Sequence, residues 1–199
     1  MTSSFLILHG WQNHRPEGHW QHWLAASLTD LGHDVAYPQL PDADTPELDA
    51  WLAEFERHLT APAPSGTPAS GRPRRHIVIA HSLATVAWLH AVARGLPGLD
   101  TVDRTLLVSP VTTATDYPEI AGFALPPLPG LTLPSPTRIV AGAGDPYCPE
   151  GAQAAYGDPL GVTAEVLPDA GHLTPDDGYG PWPSVLAWCL DGETRLTAR

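Results

Sequence analysis

The chain has 199 residues, of which 43% are hydrophobic and only 16% charged, enough apolar content for one sizeable core and too much for a disordered segment. Ten Lys+Arg against 22 Asp+Glu leave a formal charge of −12, which excludes nucleic acid and anionic membrane surfaces as main partners, since both require a basic face. Twenty-three prolines and 18 glycines indicate a loop-rich fold that stays short of low complexity.

No basic region precedes the apolar run Phe5-Leu6-Ile7-Leu8, which is too short for the core of a signal peptide. No stretch approaches the roughly 20 apolar residues of a membrane span. Cys148 and Cys189 form neither a CxxC pair nor a disulfide ladder, so two reduced thiols and a cytoplasmic location are expected.

In chain order, residues 4–8 form a short continuous apolar run ended by His9-Gly10, the pattern of a buried parallel strand. Trp20, Trp23, Leu24, Leu28 and Leu31 then recur at helical spacing, and Gly32 closes that helix. Residues 34–38 predict a second strand. Thr45-Pro46 reads as a cap and first position of a helix running to about Leu59. The Pro/Ala/Ser/Gly-rich stretch 61–75 is a surface loop within one domain, its three arginines a solvated loop end. Further strands are predicted at 76–80, 104–110, 137–142 and 163–167, with helices at 81–90, around 149–156 and at 182–190. Residues 111–136 are irregular and proline-rich. Strands alternating with helices give an α/β fold, one domain over 1–199, with a mainly parallel sheet whose ligands sit at the strands' carboxyl ends.

Three polar groups fall just after three of those strands: Ser82, Asp145 and His172. Their order is that of an α/β-hydrolase triad, in which strand ends bring residues distant in sequence to one edge. Each has a plain structural role open to it: Ser82 as a helix cap, Asp145 in an Asp-Pro turn, His172 as a loop histidine. The combination of order and strand context favours a serine nucleophile. Around Ser82 the positions two before and two after, glycine in Gly-x-Ser-x-Gly, are Ala80 and Ala84, the next smallest choice.

Acyl transfer also needs donors for a developing oxyanion. The Leu83 N–H is one; the loop after the first strand supplies the second, from Trp11 or alternatively Gln12. His9, His81, Tyr147 and Trp182 are candidate pocket residues, with Trp11, Phe123 and Leu125, and each is equally readable as packing. His9, His14, His19 and His22 lie close in sequence, but no carboxylate or cysteine completes a zinc spacing, and packing histidines are the expectation. Phosphate-cradling motifs are missing, and no cofactor or metal is expected.

These residues resemble a known group. His9-Gly10, His19-Trp20 before the first helix, His81-Ser82-Leu83, Gly144-Asp145-Pro146-Tyr147-Cys148-Pro149, Gly171-His172 and Gly178-Tyr179-Gly180-Pro181-Trp182-Pro183 are similar to the small α/β-hydrolases of the retinoblastoma-binding protein 9 / YdeN-like family. The resemblance spans about residues 4–190. It implies a compact core of about six mainly parallel strands without a large lid domain, and serine-hydrolase activity on small esters or amides. It also implies Ser82 as nucleophile, His172 as general base and Asp145 as its orienting acid. The chain departs from the family at Ala84, where glycine is usual, at Ala80, where it is frequent, and in segments 61–75 and 111–136, which are longer or more irregular than in a minimal member. The expected function is cleavage of a small acyl substrate through an acyl-enzyme. A non-catalytic interaction module on the same scaffold, and an acyltransferase or thioesterase using the same residues, are the alternatives.

Overall fold

The computed structural model describes residues 3–62 and 76–199. The surface loop expected at 61–75 falls outside the described residues from position 63 onward, and Arg72, Arg74 and Arg75 fall outside them entirely.

Six strands pair side by side, all parallel: β1 (Ser4–Leu8), β2 (Asp34–Ala36), β3 (His76–His81), β4 (Val102–Val108), β5 (Thr137–Gly142) and β6 (Ala164–Leu167), in the order β2-β1-β3-β4-β5-β6. The apolar runs of the sequence explain the layering. Every residue of β1 and β3 is buried, because helices cover both faces of the sheet. Phe5, Ile7, Ile77, Ile79, Leu106, Val108 and Val140 point to one face, where they meet helices α1 (Trp20–Asp30) and, towards the chain's end, α5 (Pro183–Asp191). Leu6, Leu8, Val78, Ala80, Leu107, Ile139 and Ala141 point to the other, against α2 (Leu48–Leu59) and α3 (Leu83–Ala93).

Strand order reverses at β1. The chain leaves β1 outward to β2, then crosses back to place β3 on the other side of β1. The helices following these two neighbours, α1 and α3, therefore lie on opposite faces, and a crevice opens above the carboxyl ends of β1 and β3.

Several element ends differ from the sequence reading, each for a local reason. Leu31 lies beyond α1 and is 56% exposed, while Gly32 at φ +81° turns the chain away. Thr45 does not cap α2: its N–H closes a turn onto the Asp42 carbonyl, and the helix begins at Leu48 after an extended Glu47. His81 ends β3, opposite Val108, so α3 starts at Leu83. Within 111–136, short 3₁₀ segments at Ala114–Asp116 and Pro118–Phe123 bury Ile120 and Phe123. The helix expected around 149–156 is a π turn at Gln153–Gly157 that runs into one α-helical turn, α4 (Asp158–Leu160). Among the described residues no helix is long and apolar enough to cross a membrane.

Candidate active site

Ser82 links β3 to α3 with φ +56° and ψ −127°, a conformation costing a non-glycine residue about 1–3 kcal/mol. Its surroundings hold it there. The Ser82 N–H extends the β3–β4 ladder by donating to the Val108 carbonyl at 2.9 Å, and the Ser82 carbonyl accepts from the N–H and Oγ1 of Thr85. Ala80 and Ala84 are fully buried on either side.

His172 and Asp145 arrive from the loops after β6 and β5. His172 Nε2 lies 2.8 Å from Ser82 Oγ, and His172 Nδ1 lies 2.8 Å from Asp145 Oδ2. With the carboxylate accepting from Nδ1–H, Nε2 is left to accept the serine hydroxyl. The other carboxylate oxygen of Asp145 accepts the Tyr147 N–H at 2.9 Å, fixing the acid in its turn. Both side chains are almost wholly buried. Gly142 makes the approach possible, since a Cβ there would lie 2.1 Å from the Gly171 carbonyl oxygen.

The backbone of His172 is held as well. Its N–H donates to Asp177 Oδ2 at 3.0 Å, an oxygen that also accepts from the N–H and Oγ1 of Thr174. Its carbonyl accepts from His81 Nε2 at 3.1 Å.

The two loop amides considered as oxyanion donors are not equivalent. Gln12 has its N–H committed to the Ala43 carbonyl at 2.8 Å, which removes it as a donor. Among the described residues the N–H groups of Trp11 and Leu83 have no protein acceptor.

Ser82 opens on a cleft of about 600 Å³. Its apolar lining includes Trp11, Leu83, Val111, Tyr117, Ile120 and Tyr147, while Asn13, His14, Thr174 and Asp176 supply polar groups. An arc of rings runs from Trp11 to Tyr117 (5.2 Å between centroids), on to Tyr147 (6.3 Å) and to His172 (4.6 Å). Burial raises the Tyr147 phenol above its usual pKa, and Tyr117 and Asp145 push the same way.

Of the sequence-derived pocket residues, His81, Tyr147 and Trp11 line the cleft, and His9 and Trp182 do not. His9 lies behind the loop it supports: Nδ1 donates to the Gly10 carbonyl and Nε2 accepts the Leu40 N–H at 2.8 Å. Burial holds its imidazole down at about 4, the Gly10 bond opposing. Trp182 is a core residue, edge-on to Trp20 and Tyr179, with its indole N–H on the Thr197 carbonyl. Phe123 packs against Trp51 in the core, and Leu125 packs against that same core. Tyr117, Ile120, Asp176 and Asp177 also line the cleft, and no sequence pattern marks them, because the irregular 111–136 segment and the turn after His172 carry no periodic signal.

The amino-terminal histidines turn to separate partners. His14 faces Asp44 at 3.0 Å, His22 the Arg15 carbonyl, and His19 caps α1 by accepting the Gln21 N–H. Burial lowers His19 to about 4. Cys148 and Cys189 are separate buried thiols.

A family model described as serine hydrolase matches residues 5–190. None of the curated proteins matches the chain. Among solved structures, the ydeN gene product of B. subtilis is similar over 98% of this chain and 100% of its own, with 17% identity and a TM-score of 0.71. A protein from Pectobacterium atrosepticum described as a YdeN-like hydrolase is 20% identical over 94% of this chain and 88% of its own, TM-score 0.68. NosK from Streptomyces actuosus is 17% identical over 96% and 97%, TM-score 0.57. At these identities the structures speak for the fold, and the family model, covering β1 through almost all of α5, speaks for the family. The chain belongs to the serine hydrolase family of retinoblastoma-binding protein 9 and YdeN, and it has the α/β-hydrolase fold.

Proposed function

We propose that this protein hydrolyses a small ester, thioester or amide through an acyl-enzyme on Ser82. His172 Nε2 takes the proton of Ser82 as Oγ attacks the acyl carbonyl, and returns it to the leaving alcohol, thiol or amine. Asp145 keeps the histidine in the Nδ1–H tautomer and stabilises the imidazolium that forms. The N–H groups of Trp11 and Leu83 receive the oxyanion. Water, activated by the same histidine, then releases the acid.

The observation that carries this reading is the unbroken chain from Ser82 Oγ through His172 to Asp145, with both links at 2.8 Å. Weighing further for catalysis over a binding module is the strained backbone of Ser82, which the fold maintains at the cleft floor. The same acyl-enzyme would serve transfer to an alcohol or amine.

Among the described residues neither lysine nor arginine lines the cleft, and Asp176 does. With the aromatic arc, this favours uncharged or cationic acyl substrates over anionic ones. A fluorophosphonate probe tests the nucleophile: mass spectrometry should find one adduct, on the Ser82 peptide. A folded protein that remains unlabelled would count against it.

A further inference from the structure

We infer that His81 is a positioning residue: its neutral side chain grips the backbone carbonyl of His172 and so ties the base to the peptide that carries the nucleophile. This rests on the reading of Ser82 and His172 as nucleophile and base.

His172 sits in a tight turn between Gly171 at φ +52° and Leu173 at φ +54°, where regular backbone pairing is unavailable. Among the described residues no backbone N–H donates to its carbonyl; His81 Nε2 is the donor, at 3.1 Å. A buried carbonyl without a partner is costly, so this bond sets where the turn rests. His81 directly precedes Ser82 and ends β3 in register with Val108. The residue covalently joined to the nucleophile thus holds the main chain of the base. Any shift of the elbow carries His172 with it, and the 2.8 Å spacing of Oγ and Nε2 is kept. Misplacement of reacting groups by about 1 Å is worth on the order of a hundredfold in rate.

The bond requires hydrogen on Nε2, and the surroundings require the ring to be uncharged. His81 is 3% exposed. Its ring meets His172 at 5.2 Å, His19 of the α1 cap at 5.3 Å and the edge of Trp20 at 5.6 Å, with His9 felt from the end of β1. A proton on any of these histidines would repel a cation at His81. Burial, more than these neighbours, lowers its pKa well below 6.5. A neutral His81 therefore lets His172 take the proton of Ser82 without a second positive charge beside it.

The test compares His81→Gln with His81→Asn, using p-nitrophenyl butyrate and sites titrated with fluorophosphonate. Glutamine can place an amide N–H where Nε2–H stands, and asparagine falls one bond short. The expected result is that His81→Gln keeps kcat per titrated site within about 3-fold, while His81→Asn loses roughly 10- to 100-fold with KM little changed. Equal kcat per titrated site in the two variants would overturn the proposal. Should neither variant fold, ¹⁵N imidazole shifts of the wild-type protein decide. His81 should be neutral and protonated on Nε2 from pH 5.5 to 8, and a charged or Nδ1–H ring would overturn the proposal. Wild-type protein that takes up no fluorophosphonate would count against Ser82 as nucleophile, a separate failure.

Discussion

Gly10 stands against Ser82 so closely that a Cβ at position 10 would lie 2.6 Å from Ser82 Cβ and 3.0 Å from Oγ. The loop after β1 thus needs a glycine at position 10, because Ser82 occupies the space a side chain would fill. Gly10→Ala should lower kcat/KM by at least about a hundredfold and abolish fluorophosphonate labelling, since Ser82 or the Trp11 loop must move. Circular dichroism should stay that of the wild type. Undiminished labelling in the variant would show that the loop yields freely.

The elbow closes with alanine at both flanking positions. Ala80 and Ala84 are fully buried, yet Ser82 still reaches its strained φ and its hydrogen bond to His172. Restoring glycine should therefore gain nothing. Ala84→Gly, in the first turn of α3, is expected to destabilise by up to about 1 kcal/mol in urea unfolding and to leave kcat/KM within a few-fold. A large gain in rate would mean that alanine constrains the site.

Much of this architecture was legible because β1, β3, β4 and β5 are short apolar runs flanked by glycine, proline or loop residues. The positions of Ser82 and Asp145 just after β3 and β5 follow from those runs, while His172 follows the short, half-exposed strand β6. What sequence patterns lacked was contact between distant segments. Gln12 and Trp11 look equivalent until Ala43 is seen to occupy the Gln12 N–H. His9 and Trp182 read as pocket residues, but Leu40 draws the first behind its loop and Trp20 with Tyr179 encloses the second. Tyr117 was hidden in a segment without period, and Asp177 acts only once its turn has closed on His172.

Acid should destabilise the fold before the carboxylates titrate. Buried His9 and His19 are held at about 4, and His81 well below 6.5, whereas in the unfolded chain all three take up protons near 6.5. The unfolded state then binds more protons between pH 6.5 and 4, so stability is full above that window and falls as pH drops through it. At pH 5 the loss is on the order of 2 kcal/mol for each of His9 and His19. Glu54 and Asp191, both lowered by hydrogen bonds, act in the same direction only below their usual carboxylate range. Urea midpoints at pH 7 and pH 5 check this. Equal midpoints would contradict it.

Charge in the acyl group should matter in one direction. The p-nitrophenyl monoester of adipic acid carries a carboxylate where the 6-methylheptanoate ester carries an isopropyl group of similar shape. With Asp176 in the cleft, no lysine or arginine lining it among the described residues and a net charge of −12, the anionic ester should show kcat/KM at least about 10-fold lower. Added salt should narrow the gap. Equal rates at low salt would remove charge as a selector.

The central claim is that Ser82 is the nucleophile, activated through His172. Turnover of p-nitrophenyl butyrate by wild type, Ser82→Ala and His172→Ala tests it most directly. Each variant should keep the wild-type circular dichroism and lose about 10³- to 10⁶-fold in kcat. A folded Ser82→Ala protein that retains wild-type turnover would contradict the account.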